Sequence, residues 1–429
     1  MLKKILATIA TRYLVAVLNL LLIFVNGKVL GVHGMGLVGV IYASANMAVI
    51  FNSVLCGNTI VYYMNRYPLR YVFWPAYLWA FVGSAAACGV MALFGLLPPA
   101  FGWEVYGLAV LLSLVAIHSR VLLGKDHIRG FNATFVIQGG ALFFILLYIY
   151  YVAGKRDAEG YLWGLYLTNG IAWTVSLLLL APYLFRRKDG ETQPAPPSII
   201  KLVREMVVYG LWSSADNLAE GLTTRLNYFL IQRLGGYGQV GLLDAGTRIS
   251  ESVWHISRSV SFIAYSQVAK TSDPEIQRQT TLRFFKATYC ALLSVMGVIL
   301  LIPEWVYTDY LFTSEFQGIR KVIAGLSVGI VALGSNSILS HYFIGTGKVR
   351  YSAACSCIGL LVLLLSGYFL IPVYSVFGSA LSTGIAFSAM LSFSLTVFVK
   401  QTRTPLRELL PTKEDVNALI VQRLKKHRL

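Results

Sequence analysis

Apolar stretches of about 20 residues follow one another along most of this chain, separated by short polar connections. Wound as a helix rising ~1.5 Å per residue, a stretch of that length crosses the ~30 Å hydrocarbon core of a bilayer. It has to be helical, because lipid offers backbone amides no hydrogen-bonding partner. The pattern places spans near 5–27, 37–63, 71–97, 105–123, 131–153 and 160–185, then 206–232, 238–268, 281–302, 321–344, 350–371 and 375–399. Between the two groups of six, the run from Arg186 to Ser198 is polar and rich in proline, which suits a hinge or join. The fold class expected is therefore an all-α polytopic membrane protein with about twelve transmembrane helices in two six-helix lobes. Residues 1–186 make the first lobe, 187–204 a cytoplasmic linker, 205–400 the second lobe and 401–429 a basic tail.

Charge supports this class and orients it. Only 13% of the 429 residues are charged, against ~25% in soluble domains, and mean hydropathy is +0.66. The net charge of +17 is not a nucleic-acid signature, because the basic residues fall between apolar segments instead of forming a stripe with interleaved aromatics. Read by the positive-inside rule with the N-terminus inside, the cytoplasmic side holds 17 Lys and Arg ahead of the tail and 8 in it, against 6 on the other side. A multi-pass protein with both termini cytoplasmic is self-consistent. Met1, Leu2, Lys3 and Lys4 run straight into a span with no small-residue cleavage site behind it, which predicts a retained first helix. The five cysteines have no metal-ligand spacing and read as packing residues; no metal or cofactor is expected.

The remaining five basic residues, Arg12, Arg120, Arg225, Arg248 and Arg258, fall inside spans, where a charge is costly and normally faces a water-filled interior or another charge. Asp244, Arg248, Glu251, His255 and Arg258 stand at helical offsets within an arc of about 80° on span 8. On span 7, Asp216, Glu220, Thr223 and Asn227 share a face, and on span 1 Thr8, Arg12, Asn19 and Asn26 do the same. Arg225 sits about half a turn from the span 7 face. The i,i+3 and i,i+4 spacings along span 8 also fit a static intrahelical ion-pair network, which is compatible with cavity lining. Arg120 reads as a snorkelling residue at a span end, His118 and His341 as packed or interfacial side chains, and Tyr148, Tyr150, Tyr151, Trp305 and Tyr307 as interfacial belts. Residues 411–429 suit either an amphipathic helix on an anionic leaflet or a solvated tail.

The halves repeat. A shift of 202 residues lays Gly34, Gly36, Val38 and Gly39 on Gly236, Gly238, Val240 and Gly241, and a shift of 221 lays Gly124, Ile128 and Arg129 on Gly345, Val349 and Arg350. Parallel repeats of this kind are a transporter architecture with the site expected between the halves. With its Gly-x-Gly-x-Val-Gly turn after the first span of each half and its glycine-basic loop after the tenth, the chain resembles the multidrug/oligosaccharidyl-lipid/polysaccharide exporter superfamily. Within it, the chain is most similar to the branch of bacterial O-antigen and capsule flippases. The resemblance covers nearly all of residues 1–400 and implies a V-shaped pair of lobes working by alternating access, with spans 1, 2, 7 and 8 lining the central cavity.

That resemblance implies no enzymatic activity. The cargo it implies is a polyprenyl-diphosphate-linked oligosaccharide, moved to the outer leaflet of the bacterial cytoplasmic membrane for surface polysaccharide synthesis. Partners would be that lipid, the surrounding lipids, and a polysaccharide polymerase or glycosyltransferase, with no nucleic acid. Guanidinium groups offer paired donors to phosphate oxygens and do not deprotonate, so Arg12, Arg248, Arg258 and Arg225 are the candidates for the diphosphate. Asp216, Glu220, Asp244, Glu251 and His255 would hold these arginines or carry a coupling ion, and Asn19, Asn26, Thr223 and Asn227 would line the cavity. A cation-coupled multidrug antiporter is the first rival; no Asp or Glu lies within the first six spans, and an arginine-rich cavity repels cations. A membrane polymerase or ligase would be expected to carry a long external loop, and the longest, near Pro303–Arg320, is short. A lipid II flippase of the same superfamily typically has two more spans.

Overall fold

The computed structural model describes residues 2–185, 196, 198–268, 271 and 273–409; within that range the side chains of 2–10, 185, 215, 216, 255, 256, 259, 262, 266 and 406 are not described. Most of the polar linker, 186–195 and 197, and the tail from 410 onward lie outside the described residues. Every regular element among those described is helical. In order they are α1 (Leu2–Cys56), α2 (Asn58–Tyr63), α3 (Leu69–Leu93), α4 (Gly102–Gly124), α5 (Ile128–Val136), α6 (Leu142–Tyr151) and α7 (Ala158–Phe185). Then come α8 (Ile199–Ser252), α9 (Trp254–Val268), α10 (Pro274–Leu301), α11 (Ile319–Gly345) and α12 (Arg350–Thr402). A π-helical turn, Ile137–Ala141, joins α5 to α6.

Eight helical stretches among the described residues are long and apolar enough to cross a membrane. Two of them, Thr11–Tyr63 and Arg350–Thr402, run for 53 residues, more than twice the length one crossing needs. Each contains one residue at positive φ that breaks the helix, Gly31 at φ 65° in α1 and Ser375 at φ 53° in α12, and the first stretch is interrupted again at Gly57 between α1 and α2. α8 is broken the same way at Gly236, φ 72°. The loops expected between spans 1 and 2, 7 and 8, and 11 and 12 are thus single-residue breaks, because one left-handed residue redirects a helix while the hydrogen-bond ladders resume on either side. α8 is absent from the apolar set. It carries Lys201, Arg204, Glu205, Asp216, Glu220, Arg225, Arg233, Asp244, Arg248 and Glu251.

The internal repeat is written into the backbone. Among the described residues, positive φ occurs at nine positions, and all but Arg403 fall into pairs: Gly31 with Gly236, Gly95 with Gly318, Asp126 with Gly347, and Gly154 with Ser375. The last two pairs are 221 positions apart, the offset found in the sequence. The first pair is 205 apart, which corrects the offset of 202. Matching Gly-x-Gly strings put Gly34 on Gly236, yet Gly34 is an ordinary helical residue and Gly31 supplies the break. Two glycine-rich turns of equal composition had been superposed almost one helical turn out of register.

By Cα proximity the chain separates into two compact units, Met1–Asp244 and Ala245–Leu429. In the first, α1 packs on α3 and α4, and α4 on α3 and α7. One core there gathers Val72, Phe73, Ile117 and Val121 with Leu202 and Met206 of α8; a second gathers Leu108, Leu146, Tyr150 and Leu165. In the second unit α11 is central, packed against α9, α10 and α12, with Leu339, Tyr342 and Phe343 buried against Phe398. Asp273 caps α10 by accepting the amides of Glu275 and Ile276, and Pro274 occupies the first helical position, where no amide is needed.

Candidate functional site

The first turns beyond the two glycine breaks cross one another inside the first unit. A Cβ on Gly36 would run into the Tyr237 carbonyl, and a Cβ on Gly241 into the Val32 carbonyl. Positions 32 and 237, and 36 and 241, are equivalent at the offset of 205, so the contact is reciprocal, as at a two-fold axis. Gly39 touches Asp244, 3.4 Å from the Cβ position to the carboxyl carbon, and these positions are equivalent too. The His33 ring stands edge-on to Tyr237 with 5.5 Å between centroids, and Gln232 donates to the Tyr237 hydroxyl at 3.2 Å.

Asp244 is only 2% exposed at this crossing. The Tyr228 hydroxyl donates to its Oδ1 at 3.1 Å, and Arg225 donates from Nη1 to the same hydroxyl at 2.8 Å, with its guanidinium 5.3 Å from the Tyr228 ring centroid. A buried carboxylate is thereby linked to a half-buried guanidinium through a phenol. Arg225, which stood off the expected face of span 7, is directed to this relay by Tyr228, one turn further along α8. Glu220 is half-buried; Thr223 is buried and spends its hydroxyl on the Ala219 carbonyl, and Asn227 is buried.

On α1, Arg12 and Asn19 are exposed, and the Arg12 guanidinium lies 5.8 Å from the Phe135 ring centroid on α5. Gly139, in the π-helical turn, packs against Val15 of the same helix. Asn26 is buried and accepts the Tyr150 hydroxyl at 3.0 Å, so it serves the packing of α1 on α6. In the second unit Arg248 and Glu251 are half-buried, and Arg258 is exposed with its guanidinium 4.0 Å from the Trp254 ring centroid. The side chains of Asp216, His255 and Thr8 lie outside the described residues.

Sequence reasoning missed Tyr228 and Trp254, although each was legible: Tyr228 is three residues after Arg225, and Trp254 four before Arg258, the spacings of helical neighbours. It placed Tyr150 and Tyr307 in interfacial belts, but both are buried, Tyr307 giving its hydroxyl to the Ile299 carbonyl at 3.1 Å. Tyr148, Tyr151 and Trp305 are exposed. His118 is fully buried between the Tyr77 hydroxyl and Ser176, the latter 2.6 Å from Nδ1. No group of three or more His, Cys, Asp or Glu among the described residues is placed to hold a metal ion.

Neither a family model nor a curated protein sequence matches this chain. Solved structures do. A multidrug resistance MATE family transporter of the MOP superfamily in an inward-facing conformation aligns with a TM-score of 0.71 at 14% identity, over 91% of this chain and 94% of that one. The lipid II flippase MurJ in an inward closed conformation aligns with 0.75 at 13% identity, over 98% and 91%. An outward-facing MATE family transporter of the MOP superfamily aligns with 0.60 at 15% identity, over 96% of each chain. The chain shares the fold of these solved structures, which are MATE family transporters and a lipid II flippase.

Proposed function

We propose that this protein is a flippase that carries a polyprenyl-diphosphate-linked oligosaccharide across the bacterial cytoplasmic membrane by alternating access of two six-helix lobes joined at 187–204. The reading rests on one observation above others. Arg12 stands ten residues into α1 and Arg258 four residues into α9; both are exposed, and each guanidinium lies over an aromatic ring. A guanidinium inside a membrane-embedded segment requires water or an anion. A lipid diphosphate supplies the anion, and the planar fork of arginine matches its oxygens.

Arg248 and Arg225 complete the cationic set, and Asp244, with Glu220 and Glu251, balances it. From α1 to α7 the acids Glu104, Asp126, Asp157 and Glu159 stand only at helix starts or in turns, which leaves the first half without an interior carboxylate to bind a cation. The multidrug reading draws instead on Asp244, buried and hydrogen-bonded, as the coupling group. Cytoplasmic termini and a polysaccharide polymerase or glycosyltransferase as partner belong to the same proposal.

The deciding experiment reconstitutes the purified protein in vesicles and follows leaflet translocation of a fluorescent polyprenyl-diphosphate sugar, with ethidium uptake measured beside it. Translocation of the lipid without ethidium transport is expected. Ethidium transport alone would overturn the flippase and make the acids the centre of the site. Undiminished lipid translocation in Arg12→Gln, Arg248→Gln and Arg258→Gln, each at equal protein abundance, would remove the arginines from it.

A further inference from the structure

We propose that Trp254, Arg258, Tyr265 and His341 form one subsite of the second unit, taking a phosphate oxygen together with the sugar ring attached to it; this rests on the flippase reading above. Trp254, Arg258, Ser261 and Tyr265 stand at offsets of 0, 4, 7 and 11 on α9, within an arc of about 60°. The Ser261 hydroxyl meets that of Ser337 on α11 at 2.8 Å, which fixes this face of α9 on α11. One turn further along α11, the His341 ring stands edge-on to Tyr265 with 6.2 Å between centroids, and its Nδ1 is bonded to the Ser337 carbonyl at 2.7 Å. Arg258 is a charged neighbour of His341 as well. Four side chains from two packed helices therefore flank the contact between buried Ser261 and half-buried Ser337, and of these Arg258 and Tyr265 are exposed.

The chemistry of the ligand follows from what is spent and what is not. The Arg258 guanidinium carbon lies 4.0 Å from the Trp254 ring centroid, and among the described residues no carboxylate is paired with it. Its N–H groups point along its own plane, where two phosphate oxygens are received side by side. Trp254 acts through Arg258 as a positioning residue, holding the guanidinium by its ring. The Trp254 Nε1 donor is itself buried and has no partner among the described residues. Arg258 is ten residues, or ~15 Å along the helix axis, from Val268 at the end of α9. A bare phosphate would use Arg258 alone. Tyr265 and His341 add an aromatic edge and an imidazole beside it, groups that suit the C–H faces and hydroxyls of a pyranose, while an organic cation would be repelled by Arg258.

The test measures binding to the purified full-length protein in detergent of three probes: a polyprenyl diphosphate bearing one N-acetylhexosamine, the same diphosphate without sugar, and phosphatidylglycerol. Wild-type protein should prefer the sugar-bearing lipid over the sugarless one by about tenfold or more, and both over phosphatidylglycerol. Tyr265→Leu should abolish the sugar preference and leave sugarless binding unchanged. Arg258→Gln should weaken both diphosphates by about tenfold, and Trp254→Leu should do the same, with Trp254→Phe restoring them because a ring again supports the guanidinium. If a leucine variant aggregates, Tyr265→Ala or Trp254→Ala replaces it, with the same expected outcomes. A sugar preference that survives Tyr265→Leu, or diphosphate binding that Trp254→Leu leaves unchanged, overturns the subsite alone. Phosphatidylglycerol binding as tightly as the glycolipid overturns it in favour of a general lipid contact. Failure of wild-type protein to bind either diphosphate overturns the flippase reading and the subsite with it.

Discussion

α1 and the stretch from α8 into α9 are two copies of one backbone device with opposite chemistry. Both contain a glycine at φ near 70° followed five residues later by a glycine at the crossing: Gly31 and Gly36 in one, Gly236 and Gly241 in the other. The first copy is among the stretches long and apolar enough to cross a membrane, whereas the second, which carries more charged residues, is not in that set among the described residues. At the crossing itself the equivalent residues are Gly39 and Asp244, so one copy is smallest where the other is charged. The comparison teaches that the steric requirement of the crossing is met by both copies, whereas polarity is confined to one. Close approach leaves no freedom in side-chain size, but it leaves charge free wherever a partner such as Tyr228 is present.

The largest effect is expected from breaking the steric half of that comparison. Gly36→Leu or Gly241→Leu drives a side chain into backbone carbonyls, which no rotamer relieves, and should destabilise the first unit by more than about 3 kcal/mol; unfolding in detergent and translocation in vesicles would both show it, and a wild-type-like protein would mean the crossing is not obligatory. Asp244→Ala attacks the chemical half. It leaves the Tyr228 hydroxyl without its acceptor at a buried site and should cost about 1–3 kcal/mol, with Asp244→Asn recovering part of it, read from the same unfolding curves. Tyr228→Phe, which removes the link to Arg225 and keeps the ring, should cost about 1 kcal/mol. The smallest effect belongs to Gly39→Ala, whose added methyl meets Asp244 at van der Waals distance; the gain in helix propensity of up to ~1 kcal/mol should offset any crowding.

Much of the fold was legible because it depends on local pattern. Apolar length marks a span wherever it occurs, and most spans match observed helices to within a few residues. The offset of 221 was legible because Gly124 and Gly345 end helices of the same kind ahead of Asp126 and Gly347, which turn the chain at positive φ. The offset of 205 was not, since a string of glycines does not say which one breaks the helix and which one yields to a neighbour. For the site, the helical period grouped Asp244, Arg248 and Arg258 on one face of one span, but the helix breaks between α8 and α9 at Val253, and Asp244 is buried while Arg258 is exposed. The partner of Arg225 escaped because helical spacing alone does not say which neighbouring side chain accepts the guanidinium, and Tyr228 does so here.

The amino-acid sequence by itself determined that this chain spans a membrane many times, that its halves repeat, and that its ionisable residues concentrate on a few helix faces. Hydropathy and the helical period are properties of neighbouring residues, and the bilayer permits only helices here. Only the tertiary structure decided that Gly36 faces Gly241, that Asp244 answers to Tyr228, that Asn26 serves Tyr150 and that Trp254 carries Arg258. All but the last join groups that are distant along the chain. Each depends on which of several equivalent faces is turned inward, and that is chosen by packing.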